Sequence, residues 1–103
     1  MRVKKYISFG KPSIGADEIN AVKQVIISKW IGSGPITEQF EKKFKKYKQS
    51  RYSLSLNSCT AALHLSLRVL NIKKNDEVIT TPLTFCSTIN SILLVGAKPV
   101  FVD

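Results

Sequence analysis

The order of apolar runs predicts an α/β fold: two amphipathic helices, then a strand, a helix, a strand, a helix and a third strand, with the strands parallel. Three observations carry this. From Arg51 onward strand-like and helix-like runs alternate, the pattern of parallel strands joined by helical crossovers. Ahead of them, two stretches repeat apolar residues at helical spacing. The first two predicted strands each end in a polar turn that passes into a helix, which places both turns at the C-terminal edge of a sheet, where open α/β folds bind ligands.

Taken in order, Ile7-Ser8-Phe9-Gly10-Lys11-Pro12 is an irregular opening closed by a proline. Gly15-Ala16-Asp17-Glu18 supplies acidic residues for a helix start, and Ile19, Val22, Val25 and Ile26 form an apolar stripe that runs to about Lys29. Trp30-Ile31-Gly32-Ser33-Gly34-Pro35 reads as a loop, because two glycines and a proline do not continue a helix. Thr37 is the expected N-cap of the next helix, with Glu38 and Glu41 in its first turns. That helix sets Phe40, Phe44 and Tyr47 on one face and its lysines on the others.

Arg51 to Leu56 alternates small polar and larger residues as a strand does. It ends at Asn57-Ser58-Cys59-Thr60-Ala61-Ala62-Leu63-His64-Leu65, where Leu63, Leu67 and Leu70 mark a helix. Asn71 to Asp76 is a polar link to a second strand, Glu77-Val78-Ile79-Thr80-Thr81, ended by Pro82. Phe85 to about Val95 reads as a helix stopped by Gly96, and Pro99-Val100-Phe101-Val102 as the third strand. The expected organisation is a helical segment over 1–50 and an α/β portion over 51–103.

Composition narrows the function classes. The 103 residues suffice for a domain with a core, and 44% apolar content argues against disorder. No apolar run approaches the roughly 20 residues of a membrane-spanning helix. The basic start, Met1-Arg2-Val3-Lys4-Lys5-Tyr6, lacks the apolar stretch of a secretion signal, so a cytoplasmic protein is expected. Cys59 and Cys86 make no disulfide framework, and with His64 the single histidine no structural metal site is expected. The net charge of +9 invites a nucleic-acid reading. Its concentration on the flanks of an amphipathic helix, with no nucleic-acid-binding signature beside it, reads instead as a solvated face.

The turn at Asn57 to Ala62 is the stretch that carries chemistry. A helix that starts at a strand's end presents unpaired N–H groups and the positive end of its dipole, a place for phosphate. Ser58 or Thr60 can cap the helix, and a hydroxyl not so used can donate to a phosphate oxygen. Small side chains at Ser58, Cys59, Ala61 and Ala62 let a ligand approach the backbone. On spacing alone, most such capped turns bind nothing, and Phe85 by itself reads as a core residue under its loop. No Gly-rich dinucleotide or nucleotide-triphosphate motif is present.

Read together, these residues resemble the N-terminal segment of the DegT/DnrJ/EryC1/StrS family, pyridoxal-phosphate sugar aminotransferases of the aspartate aminotransferase fold. The resemblance runs from Ile7 to Asp103. It rests on Pro12 and Glu18, on Trp30 and Gly34-Pro35 before Phe40-Glu41, and on Asn57 through Leu65. It continues through Asn75-Asp76-Glu77-Val78-Ile79, Thr81-Pro82-Leu83-Thr84-Phe85, Asn90 and Gly96-Ala97-Lys98-Pro99-Val100-Phe101-Val102-Asp103. Each motif is short, but so many in this order are specific, and the resemblance reverses the bland readings of the turn and of Phe85.

The resemblance implies a portion of the pyridoxal 5'-phosphate (PLP) fold type I domain, with the cofactor-binding large domain starting in 51–103. Ser58, Cys59, Thr60 and Ala61 would hold the cofactor phosphate through backbone N–H groups and the Thr60 hydroxyl, and Phe85 would stack on the pyridine ring. Cys59 stands where the family often has glycine, a change of little weight if the contact is through the backbone. The Gly32-Ser33-Gly34 loop would approach an active site, its own or a neighbouring subunit's. His64 is expected to be packed and hydrogen-bonded, and Asn57, Asp76 and Glu77 to be structural.

Family members are longer, so no catalytic residue is assigned, and the lysine that forms the Schiff base is expected beyond Asp103. The whole enzyme would be a homodimer that moves an amino group, with glutamate as donor, to a nucleotide-linked keto sugar. The 103 residues alone would be inactive. Three other readings stand beside this one: a PLP-dependent dehydratase of the same family, a truncated remnant that folds poorly, and a basic nucleic-acid-binding module.

Overall fold

The computed structural model describes residues 10–102. The irregular opening expected at Ile7-Ser8-Phe9 and the terminal Asp103 lie outside them. The chain divides into two compact units, Met1–Ser53 and Leu54–Asp103.

The first unit holds two helices. α1 spans Ala16–Ile27, with Asp17 and Glu18 in its first turn, where carboxylates complement the helix dipole. Gly15 is its N-cap, and the Gly15 N–H donates to Glu18 Oε2 at 2.7 Å. This bond to a backbone donor holds the Glu18 carboxyl below its ordinary range. α1 ends where the Ser28 N–H donates to Gln24 O and Lys29 enters the left-handed region at φ 60°.

α2 spans Pro35–Lys48 with Gly34 as N-cap, so it begins ahead of Thr37, the N-cap expected from sequence. Pro35 occupies the first helical position, where its missing N–H costs nothing and its fixed φ suits the helix. Phe40 and Phe44 pack on one face, ring centroids 5.9 Å apart. Lys45, Lys46 and Lys48 lie in the last turn, at the negative end of the dipole. Gln49 closes the helix at φ 51°, and the Ser50 N–H donates back to Lys45 O.

The second unit is a small α/β layer. α3 (Cys59–Val69) is capped by Ser58 and ends at Asn71, whose φ of 58° lets the Ile72 N–H reach Leu67 O. β1 (Glu77–Thr80) and β2 (Lys98–Phe101) pair in parallel, Glu77 opposite Lys98 and Thr80 opposite Phe101, with α4 (Cys86–Leu94) as the crossover. Across the first pair the Lys98 ammonium lies 2.9 Å from the Glu77 carboxylate. Gly96 stops α4 at φ 80°, where any side chain would be strained.

The core of this unit is Ile92, Val95 and Ala97, with Leu67, Ile72 and Val78 packed against it. Ser91 is fully buried and satisfies its hydroxyl on Ser87 O at 2.7 Å. The α/β class and the parallel order are as expected, but the predicted first strand, Arg51 to Leu56, makes no ladder with β1 or β2. Alternation in a sequence fixes only which side chains face together; a ladder also needs a partner strand, and 51–56 pairs with neither β1 nor β2. Leu54 stays 78% exposed as a result.

Candidate functional site

The first turn of α3 is built from residues that cannot easily continue a strand or bury a large side chain. Ser58 is extended (φ −159°, ψ 155°), and its Oγ accepts the Ala61 N–H at 3.1 Å while its carbonyl accepts the Ala62 N–H at 3.1 Å. Asn57 Oδ1 lies 3.4 Å from the Ser58 hydroxyl, a long contact in which the hydroxyl would donate. Of the turn's backbone donors, Ala61 is therefore engaged. The Cys59 and Thr60 N–H groups and the Thr60 hydroxyl have no partner among the described residues.

All of Asn57 to Thr60 are exposed, and no acidic residue lies in the chain between Glu41 and Asp76. The turn thus presents two open N–H groups and one hydroxyl at the positive end of a helix, with no carboxylate in sequence reach. That donor set fits a phosphate group.

The second turn follows β1. Thr81 Oγ1 accepts the Leu83 N–H at 3.3 Å, and the Thr84 and Thr88 hydroxyls pair at 2.9 Å. The Thr84–Thr88 pair was missed in the sequence, although its Thr-x-x-x-Thr spacing across a helix start is a readable signal. Between them Phe85, the N-cap of α4, is 76% exposed, so its ring is no part of the core and has a face free for contact.

The two turns share one edge of the unit. α4 starts from the end of β1, and α3 packs on α4 and delivers the chain through 70–76 to the start of β1. The first turns of α3 and α4 therefore lie at the end where β1 finishes. The lysines of this unit lie at the other end: Lys73 and Lys74 precede β1, and Lys98 opens β2, held by Glu77.

Cys59 and Cys86 are free and exposed, and no group of three or more His, Cys, Asp or Glu side chains gathers among the described residues. His64 is half-buried on α3 and, unlike the sequence expectation, its imidazole makes no hydrogen bond among the described residues. No helix among them is long and apolar enough to cross a membrane.

In the first unit the loop between α1 and α2 forms a cavity of about 290 Å³ lined by Val25, Trp30, Ile31, Pro35, Ile36 and Thr37, among others. The Trp30 indole N–H donates to Ser33 O at 2.8 Å, and a Cβ on Gly34 would overlap the indole. This contact explains the glycine: the Gly34 backbone is extended, a conformation open to any residue, and only space forbids a side chain.

Comparison with known proteins finds a family and solved relatives for this chain. The family model for the DegT/DnrJ/EryC1/StrS aminotransferase family matches residues 12–103. An uncharacterized protein of Methanocaldococcus jannaschii is 57% identical over 93 residues, 90% of this chain and 24% of that protein. The spore coat polysaccharide biosynthesis protein SpsC of Bacillus subtilis is 45% identical over 98 residues, 95% of this chain and 25% of its own. Among solved structures, Spr1654 of Streptococcus pneumoniae, named as a sugar aminotransferase, superposes with a TM-score of 0.85 at 42% identity, over 94% of this chain and 25% of that one. It has been solved in PLP, pyridoxamine-phosphate (PMP) and apo forms. The chain thus spans about a quarter of the length of the relatives it matches.

Proposed function

This chain belongs to the DegT/DnrJ/EryC1/StrS aminotransferase family, and on that premise we propose that it is the N-terminal portion of an enzyme that moves an amino group from glutamate to a nucleotide-linked keto sugar. The family's cofactor is PLP. The observation that carries the reading is the pairing of two features at one edge: the open Cys59 and Thr60 donors at the start of α3 and the exposed Phe85 ring at the start of α4.

In this reading the Ser58 to Ala61 turn receives the cofactor phosphate, with Cys59 and Thr60 donating from the backbone and Thr60 from its hydroxyl. Phe85 would stack on the cofactor ring and hold its orientation, which would lower the orientational cost of reaction. Bound there, PLP supplies the electron sink that amino-group transfer requires. None of Lys73, Lys74 and Lys98 starts from the edge that holds the two turns, so no lysine of this unit is placed as the covalent partner of the cofactor. We propose accordingly that residues 1–103 alone grip PLP without transaminating.

The sugar class is supported by the relatives, since SpsC is a polysaccharide biosynthesis protein and Spr1654 is named as a sugar aminotransferase. On family resemblance the proposal extends to a nucleotide carrier, a glutamate donor and a homodimeric assembly, and it carries with it a cytoplasmic site of action and a division into a helical segment over 1–50 and the start of the cofactor-binding domain over 51–103. Many large apolar side chains, Leu83 at 93% and Val69 at 85% exposure among them, support a larger assembly that covers them.

The test uses the protein as its source produces it, with its intact mass measured first. PLP and its phosphate-free analogue pyridoxal are then titrated into wild type, Thr60→Val and Phe85→Ala. Thr60→Val should weaken PLP alone, and Phe85→Ala should weaken both. If PLP and pyridoxal bind equally well to wild type, the phosphate turn is misassigned. Glutamate consumption that does not depend on a nucleotide-linked keto sugar would overturn the substrate class.

A further inference from the structure

Resting on that reading of the turn, we infer that Ser58 is a positioning residue: its hydroxyl holds the start of α3 in shape and does not bind the phosphate. A serine hydroxyl has one proton and two lone pairs. Ser58 Oγ accepts the Ala61 N–H at 3.1 Å, and its proton faces Asn57 Oδ1 at 3.4 Å. One lone pair of the hydroxyl is thus committed to Ala61, and its proton has an acceptor within the chain, at long hydrogen-bond distance, in Asn57 Oδ1.

The same bond decides which backbone groups serve the anion. Of the first N–H groups of α3, the one on Ala61 is consumed by Ser58 Oγ, and the Ala62 N–H is already inside the helix on Ser58 O. What remains, Cys59 N–H, Thr60 N–H and Thr60 Oγ1, comes from two consecutive residues. Their direction is fixed by the extended Ser58 backbone and by the cap that ties it to Ala61. Ser58 therefore acts through Cys59 and Thr60, and Asn57 acts through Ser58.

The experiment compares Ser58→Ala with Ser58→Gly in the protein as its source makes it, reading affinity for PLP against pyridoxal, with helicity by circular dichroism as the folding control. Alanine is a poor N-cap, whereas glycine serves that position almost as well as serine although it has no hydroxyl. Ser58→Ala should weaken PLP roughly fivefold, the equivalent of a typical lost cap, and leave pyridoxal unchanged. Ser58→Gly should stay within about twofold of wild type.

Equal, large losses in both variants would overturn the inference, because they would put the hydroxyl itself on the phosphate. Wild-type affinity in both would overturn it too, by removing any role for Ser58. Thr60→Val separates the levels: if it weakens PLP while the two Ser58 variants behave alike, only the assignment of Ser58 falls. If it leaves PLP untouched, the phosphate turn falls and this inference with it.

Discussion

The indole of Trp30 donates to the carbonyl of Ser33 at 2.8 Å and fills the space where a side chain on Gly34 would stand. The loop between α1 and α2 is thereby pinned by a residue at its start, and the chain reaches Pro35 already aimed to begin a helix. Gly34→Ala should displace the indole and cost about 1–3 kcal/mol, the range for a forced steric insertion. Trp30 is the sole tryptophan, so a shift in its fluorescence emission together with a lower thermal midpoint checks this directly. Trp30→Phe removes the hydrogen bond together with part of the ring that packs on Gly34 and should cost at least about 1 kcal/mol, read as a lower thermal midpoint by circular dichroism.

Acid should loosen the start of α1. The Glu18 carboxyl is held below its ordinary range by the Gly15 N–H. A carboxyl with a lowered pKa in the folded state contributes stability that is complete above its unfolded value and is lost as pH falls through the lowered folded value. Protection of the amides in the first turn of α1, taken relative to their intrinsic exchange rate at each pH, should therefore fall as the solution is acidified. In Glu18→Gln that acid dependence should vanish. An identical pH profile in the variant would show that another group controls the helix start.

Two substitutions in the second unit should differ sharply in cost. Ile92 is 3% exposed at the centre of the core, and Ile92→Ala should cost about 2–5 kcal/mol in a denaturant titration. The Lys98–Glu77 pair is short but its side chains are 71% and 58% exposed. Lys98→Met should therefore cost less than about 1 kcal/mol and the difference should fade in salt.

Gln49 ends α2 at φ 51°, a conformation that a side chain disfavours and glycine does not. Gln49→Gly should raise stability by about 1 kcal/mol. The gain is read as a higher unfolding midpoint with no change in helical signal below it. A loss would mean that the Gln49 side chain contributes contacts that outweigh its backbone strain.

The helices were legible because their information is local. Ile19, Val22, Val25 and Ile26 state a period, and Phe40 with Phe44 state another, before any tertiary contact forms. A cap at Ser58 or Thr60 was legible for the same reason, since a cap's partner is only two or three residues away, and the structure selects Ser58. The start of α2 was misjudged because Pro35 was weighed as a breaker, when the first turn of a helix is where proline costs least. The strand expected at Arg51 to Leu56 failed differently: its periodicity is real, but pairing depends on chain far away in sequence. At the site, spacing showed the strand-to-helix turn, and the choice of that turn and of Phe85 came from resemblance, while the consumption of the Ala61 N–H by Ser58 needed atomic positions. So did the meeting of Gly34 with Trp30, which the four-residue interval between them only hints at.

Pro99 gives the sheet a direction of growth. β2 sends its ladder donors toward β1 from Lys98, which reaches Asp76 O, and from Val102, which reaches Thr80 O. Alternation then turns position 99 outward, and there the chain carries a proline with no N–H to offer. The flank of β2 away from β1 thus lacks a donor at its midpoint, a defence against adhesion of a stray strand. The opposite flank, along Glu77 and Ile79 of β1, keeps its backbone groups free among the described residues. A strand added to this pair would meet an unbroken row of donors and acceptors beside β1 and an interrupted one beside β2, which favours widening of the sheet from the β1 side.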